Sequence, residues 1–252
     1  MKNSTKLITS RIHDDVKAVV ALHDVKGRRK NNLFIAQGTR TCAALVEGGY
    51  NLKQLYITEH LFEKYKAIIK TPHITTVTPE VMEKMSTTDN PSGYLGIFGI
   101  PATQNYESLE AGLVLAQISD PGNMGTLIRT AAAMKVPCLV AIDSADIWSP
   151  KVVQASAGSL AQLRIFTMRF EDLVAHKKNI PLNALVVSGG KNPQELDLKN
   201  SLLMVGNEAH GIPQAWLAQC DNQVTLPMPG NTESLNAAVA GSIALYLAWA
   251  PK

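Results

Sequence analysis

The chain has 252 residues, 46% of them hydrophobic and 18% charged, with a formal net charge of +3. That composition excludes a disordered polyelectrolyte and provides for a substantial core, as one large domain or two small ones. The charge is uneven: residues 1–104 carry 14 Lys and Arg against 9 Asp and Glu (net +5), while residues 105–252 carry 10 against 12 (net −2).

The opening residues, Met-Lys-Asn-Ser-Thr-Lys, are polar and lack the apolar core of a signal peptide. Residues 11–23 form a short amphipathic pattern (Ile12, Val16, Val19, Val20) that ends at the basic turn Lys26-Gly-Arg-Arg-Lys30. This run suits a polyanion partner, and equally a solvated loop. Leu33–Gly38 then reads as a strand, and Thr39–Glu47 as a helix stopped by Gly48-Gly49. The alternation continues with a strand over Leu55–Thr58, a helix over 59–70, a strand over Ile74–Val77, a Pro79-led helix over 80–86 and a strand over Tyr94–Phe98. It predicts an α/β layer architecture for residues 1–100. Thr87–Gly93 is a loop by composition, and 101–110 is the candidate linker.

From 111 to 252 the alternation strengthens. Leu113–Ile118 is a continuous apolar run, as in a strand covered on both faces. Asp120–Gly125 turns the chain into a helix over Thr126–Lys135, and Cys138–Ile142 completes a βαβ unit. Ser149-Pro150 starts a helix running to about Leu163, and a helical turn around 170–177 follows. Strands are expected at Ala184–Ser188, Leu202–Val205 and Val224–Leu226, with a short helix over Pro213–Cys220. The last helix, through Trp249, is apolar almost all round and is expected to be buried. At its start Thr232, Glu233, Ser234 and Asn236 offer capping groups. The result is a parallel α/β domain.

In parallel sheets ligands bind at the carboxyl ends of strands, so the loops 120–125, 206–211 and 226–236 gather where a site would lie. None fits GxGxxG or GxxxxGK[ST], and Gly189-Gly190 reads as a plain turn. His210 has neither an HExxH pattern nor a second ligand beside it, so no metal is expected. Cys42, Cys138 and Cys220 are far apart and lie among apolar residues, which suits buried thiols in a reducing, cytoplasmic compartment. No 18-residue apolar run points to a membrane. Arg129, among Leu127, Ile128 and Ala131–Ala133, is either a surface residue or one aimed back at the strand ends.

Taken together, the three loops resemble the signature motifs of the SpoU (TrmH-like) branch of the SPOUT RNA ribose 2′-O-methyltransferases. The first is similar to Asn123-Met-Gly125 with Arg129-Thr-Ala131, the second to Val205-Gly-Asn-Glu208 with Gly211-Ile212, and the third to Leu226-Pro-Met228 through Ser234-Leu-Asn236. Ala155-Ser-Ala-Gly-Ser159 resembles the family's small-residue stretch. Phe34–Gly38 and Thr88–Gly93 resemble the smaller, L30e-like substrate-binding domain that precedes many of these enzymes.

The resemblance implies a homodimer that binds S-adenosyl-L-methionine in a trefoil knot near the C-terminus. It implies cofactor contacts at Gly206, Leu226, Met228 and Leu235. Ser234 and Asn236 would order the loop and the rim of the active site, and Asn123, Arg129 and Glu208 would form a polar cluster at the nucleotide. A guanidinium is always protonated, so Arg129 is expected to act as a donor and Glu208 to take the proton. RNA is the implied partner, with 23S-type ribosomal RNA favoured over transfer RNA, and Lys26, Arg28, Arg29 and Lys30 forming a basic lip. The alternatives are a tRNA ribose methyltransferase, a base methyltransferase and a non-catalytic ribosome-assembly protein of the same fold.

Overall fold

The computed structural model describes residues 6–67, 71, 73–230 and 232–251. The polar residues 1–5, the end of the expected helix 59–70 and Asn231 of the third loop lie outside the described residues. The chain divides into two compact units, one holding the residues up to Pro101 together with Trp148–Ala161, the other Ala102–Ile147 and the residues from Gln162 onward.

The first unit is built on a five-stranded mixed sheet of order β1-β4-β3-β5-β2, from strands β1 (Lys6–Ile8), β2 (Leu33–Gln37), β3 (Leu52–Thr58), β4 (Ile74–Val77) and β5 (Tyr94–Gly99). β5 runs antiparallel to β2 and β3, and the remaining pairs are parallel. Helices α1 (Asp14–Ala21), α2 (Val25–Asn31), α3 (Thr39–Glu47), α4 (Glu59–Tyr65) and α5 (Pro79–Met85) connect the strands. Val16, Val19, Val81, Met82 and Met85 turn inward onto Ile8, Ile35, Val77 and Leu95. The basic run expected as a turn is helical, because it forms α2. β1 was not expected; its three residues are too few to show a period.

The segment Trp148–Ala161, read from sequence as part of 111–252, packs within this first unit. Trp148 lies 5.1 Å from Phe34, which stacks in turn on Phe98 at 5.6 Å. Ser149 caps a short helix over Pro150–Ala155 (α7 in chain order), which ends eight residues before the expected Leu163. The small residues that follow lie against α3. A Cβ on Gly158 (φ +81°) would stand 2.9 Å from the Ala44 side chain and 3.0 Å from the Thr41 carbonyl oxygen.

The second unit carries an entirely parallel six-stranded sheet of order β11-β9-β10-β6-β7-β8, from β6 (Gly112–Ala116), β7 (Cys138–Ile142), β8 (Arg164–Thr167), β9 (Leu182–Leu185), β10 (Leu202–Val205) and β11 (Asn222–Val224). β6, β7 and β10 are buried along their whole length, as their unbroken apolar sequences require. β8 was missed by the sequence reading: it is a half-buried edge strand whose Arg164 and Thr167 break the apolar run. β9 starts two residues before the expected strand, and β11 ends two residues before the expected Leu226.

α6 (Pro121–Ala133) follows β6, α8 (Phe170–His176) follows β8, α9 (Gln214–Leu217) follows β10, and α10 (Ala237–Trp249) ends the fold. α10 is only half covered. Ala238, Gly241, Ala244, Leu245 and Trp249 are buried, whereas Val239, Ile243, Tyr246 and Leu247 remain 41–61% exposed. The expectation of a fully buried helix is corrected accordingly: one apolar stripe of α10 faces outward. Gly241 permits the buried side, since a Cβ there would fall 2.5 Å from the Leu127 side chain of α6 and 3.0 Å from that of Val205 of β10. Among the described residues no helix is long and apolar enough to cross a membrane.

Candidate active site

β6 is the first strand of the parallel sheet, and the chain leaves it for β7 on one side while β10 pairs on the other. The crevice at such a reversal is where parallel α/β sheets bind ligands. Here the loops after β6 and β10 stand side by side. Asp120 caps α6 by accepting from the Asn123 backbone N–H at 2.7 Å, with Pro121 preset at the first helical position. This fixes Asn123 at the mouth of the crevice. Its Nδ2 donates to Glu208 Oε1 at 2.8 Å, and Ser119 Oγ donates to Glu208 Oε2 at 3.4 Å. Asn236 closes the set, with Nδ2 donating to Asn123 Oδ1 at 3.1 Å. The same Asn236 caps α10, its Oδ1 accepting from the N–H groups of Ala238 and Val239 at 2.9 and 3.2 Å. Glu233, suited by charge to that helix end, is exposed and is not the cap.

Beside this polar chain lies a cavity of about 370 Å³, within the range of small-molecule sites. Gly206, Leu226, Met228 and Leu235, the four residues expected to hold a cofactor, all line it, and so do Ser234 and Glu208. Gly206 is obligatory there: a Cβ would stand 2.6 Å from the Gly211 carbonyl carbon and 2.7 Å from the Ile212 nitrogen. The sequence reading missed the wall supplied by Leu185, Val186 and Val187 at the end of β9. Its signal was the apolar run ending at Gly189-Gly190, taken for a plain turn. Gly190 N–H donates to Thr225 Oγ1 at 2.9 Å, which ties that loop to the chain leaving β11.

Two expected groups sit differently. Arg129 is exposed on α6 and makes no hydrogen bond or ion pair with Asn123, Glu208 or Asn236. It is six residues beyond Asn123, which at 3.6 residues per turn places it on a different face of the helix. In the first unit Lys26, Arg29 and Lys30 are exposed, but Arg28 is 3% exposed. Its Nη1 donates to the backbone oxygens of Leu22 and His23 at 2.9 and 2.7 Å, so it braces the turn between α1 and α2 and leaves the basic lip to its three neighbours.

No group of three or more His, Cys, Asp or Glu among the described residues is placed to hold a metal ion. Burial pushes the Cys42 thiol up to about 12 and the Cys138 and Cys220 thiols up to about 11, so none of the three is a thiolate near neutrality.

Residues 110–246 match the SpoU rRNA Methylase family and residues 13–96 the MRM3-like substrate binding domain. The chain is 31% identical to an uncharacterized tRNA/rRNA methyltransferase of Synechocystis sp., over 95% of this chain and 92% of that protein. It is 28% identical to the 23S rRNA (guanosine(2553)-2′-O)-methyltransferase RlmP of Bacillus subtilis, over 96% and 98%. Its fold is similar to that of the AdoMet-bound rRNA methyltransferase of Sinorhizobium meliloti, with a TM-score of 0.85 and 25% identity over 97% of each chain. A match spanning more than half of the chain and a relative aligned over almost all of it lead to one assignment: the chain belongs to the SpoU rRNA methylase family.

Proposed function

We propose that the protein transfers a methyl group from S-adenosyl-L-methionine to a ribose 2′-hydroxyl of ribosomal RNA, of the 23S type named for its B. subtilis relative. The observation that carries this reading is the chain of hydrogen bonds Asn236–Asn123–Glu208, which reaches the cavity at Glu208. The cavity fits the cofactor by chemistry. Its walls are apolar at Leu185, Val186, Leu226, Met228 and Leu235, as adenosine and a methionine chain require, while Gly206 leaves its backbone bare for hydrogen bonding. The bound cofactor supplies an electrophilic methyl group on a sulfonium.

The protein's own residues do the rest. A ribose hydroxyl is a very weak acid and becomes a nucleophile only as its proton leaves. Glu208 is the acceptor for that proton. Asn123 and Ser119 occupy two of the roughly four lone-pair sites of its carboxylate, so acceptor capacity remains for the hydroxyl. Arg129 cannot be the base, because its guanidinium stays protonated; exposed on α6, it is a donor to the neighbouring phosphate or to the developing alkoxide. Holding the ribose oxygen in line with the departing bond supplies much of the rate.

Lys26, Arg29 and Lys30 grip the RNA by its phosphates. The outward stripe Val239, Ile243, Tyr246 and Leu247 on α10 is the surface on which a second copy closes a homodimer, and sedimentation of a Tyr246→Glu variant as a monomer tests it. The knot implied by the family belongs to the same reading. From β11 at the sheet edge the chain returns past β9 and β10 to lay α10 on α6, the kind of crossing a knot needs. The cytoplasm is the proposed location.

The test is transfer of labelled methyl groups to purified ribosomal RNA, followed by alkaline hydrolysis. A 2′-O-methyl blocks cleavage at its own nucleotide, so label in alkali-resistant dinucleotides is the expected result. Label in ordinary mononucleotides would mean base methylation, and none at all a binding protein.

A further inference from the structure

The residue before Glu208 is engaged more heavily than any of the groups discussed so far. Asn207 Nδ2 donates across the crevice to the backbone oxygen of Gln117 at 2.9 Å, ninety residues away in sequence. Its Oδ1 accepts from the N–H groups of Ala209 and His210 at 2.9 and 3.1 Å. Its backbone exchanges two hydrogen bonds with Gly211, at 3.1 and 3.0 Å, closing residues 207–211 into a tight loop. Gln117 in turn is left-handed, with φ +59°, a conformation that costs a non-glycine residue energy and is retained where its surroundings impose it.

These contacts differ in kind from those of Glu208. Glu208 is exposed, and its bonds to the half-buried Asn123 and the exposed Ser119 join side chains that can rotate. Asn207 is half-buried, and all of its side-chain bonds go to backbone. The backbone partners are fixed by the fold and cannot rotate away. The Gln117 carbonyl that it grips, and the Ser119 and Asn123 side chains that Glu208 meets, belong to one seven-residue stretch after β6. Asn207 therefore sets the distance between the two loops, and Glu208 inherits its position.

We propose that Asn207 is a positioning residue for methyl transfer. It locks the β10 loop to the β6 loop through Gln117 and so presents the Glu208 carboxylate to the ribose hydroxyl. The inference rests on the reaction proposed above.

The experiment measures methyl transfer to ribosomal RNA by wild type, Asn207→Ser, Asn207→Ala, Glu208→Gln and the double variant Asn207→Ala/Glu208→Gln, with cofactor affinity by calorimetry. Serine keeps an acceptor for the local turn but is too short to reach Gln117, so the loop stays closed while the cross-crevice bond is lost. Misplacing a reacting group by about an ångström costs on the order of a hundredfold, so Asn207→Ser is expected to lower kcat by about 10- to 100-fold. Asn207, Ala209, His210 and Gly211 themselves line the cavity, so kcat is read at saturating S-adenosyl-L-methionine, where a change in cofactor affinity does not lower it. Since Asn207 acts through Glu208, the double variant should be no slower than Glu208→Gln alone. Wild-type kcat in Asn207→Ser, or additive losses in the double variant, would overturn the positioning role. Should wild type itself leave ribosomal RNA unmethylated, the proposed reaction fails before Asn207 is tested, and the two failures are thereby told apart.

Discussion

In the first unit four strands run in one direction and β5 alone runs antiparallel, to its neighbours β2 and β3. In the second, all six strands are parallel, and the loops after β6, β9, β10 and β11 leave at the same edge. In the second unit the polar side chains of residues 119, 123, 208 and 236 form one hydrogen-bonded chain beside a cavity. The first offers exposed cations on α2 instead. The second unit thus carries the polar chain and the cavity, and the first presents the exposed cations.

The comparison breaks if substitutions in the second unit fail to act on turnover. Glu208→Gln removes the proton acceptor while keeping the shape, and kcat should fall by about 100- to 10,000-fold, with RNA affinity unchanged in a filter-binding assay. Arg129→Lys keeps the charge but loses the planar fork, and a fall of about 100- to 1,000-fold in kcat is expected with cofactor affinity retained by calorimetry. A collapse of cofactor binding would make Arg129 structural. Because Arg129 has no hydrogen bond or ion pair among the described residues, its variant should keep the wild-type melting temperature.

The comparison sharpens if the first unit acts on affinity alone. Replacing Lys26, Arg29 and Lys30 together by Ala should weaken RNA binding and make the slope of log affinity against log salt shallower by about 2, leaving kcat at saturating RNA unaltered. Arg28 behaves oppositely: its replacement strips buried backbone carbonyls of their donor and lowers stability.

The smallest effect lies at the start of β9. The Asp221 carboxylate accepts from the Leu182 N–H at 2.7 Å and from Lys177 Nζ at 2.8 Å, which hold its pKa below the usual carboxylate value. A lowered folded-state pKa means that the stabilisation is complete above the unfolded value of about 4 and is lost as pH falls through the folded one. The side chain is half exposed, so solvent screening limits the contribution to about 0.5 kcal/mol or less. Asp221→Asn should therefore lower the melting temperature slightly at pH 7, and the difference from wild type should shrink below pH 4.

Much of this was legible in the sequence because the signals were local. Pro79 after Thr78 and Pro150 after Ser149 mark helix starts, and both caps form, whereas α6 starts at Pro121, five residues before the expected Thr126, because Asp120 caps it. The continuous apolar runs at β6, β7 and β10 announce strands buried on both faces. Gly206, Leu226, Met228, Leu235 and Ser234 reach one cavity because strand direction, itself readable from the alternation, sends their loops to one edge. What escaped was non-local. Nothing in the sequence around Trp148 says that it completes an aromatic cluster with Phe34. The inward turn of Arg28 depends on carbonyls at Leu22 and His23 left open between two helices. The outward stripe of α10 is hidden by an apolar sequence that looks alike on every side, whereas burial distinguishes the faces. Val186 and Val187 were missed as walls because their strand ends sooner than its apolar run.

The most direct test is ribose-methylation mapping of total RNA from cells that contain the wild-type protein, the Glu208→Gln variant or neither. The account predicts one 2′-O-methyl mark in ribosomal RNA that is present with wild type and absent in the other two. Identical maps in all three, or a mark restored by Glu208→Gln, would contradict it.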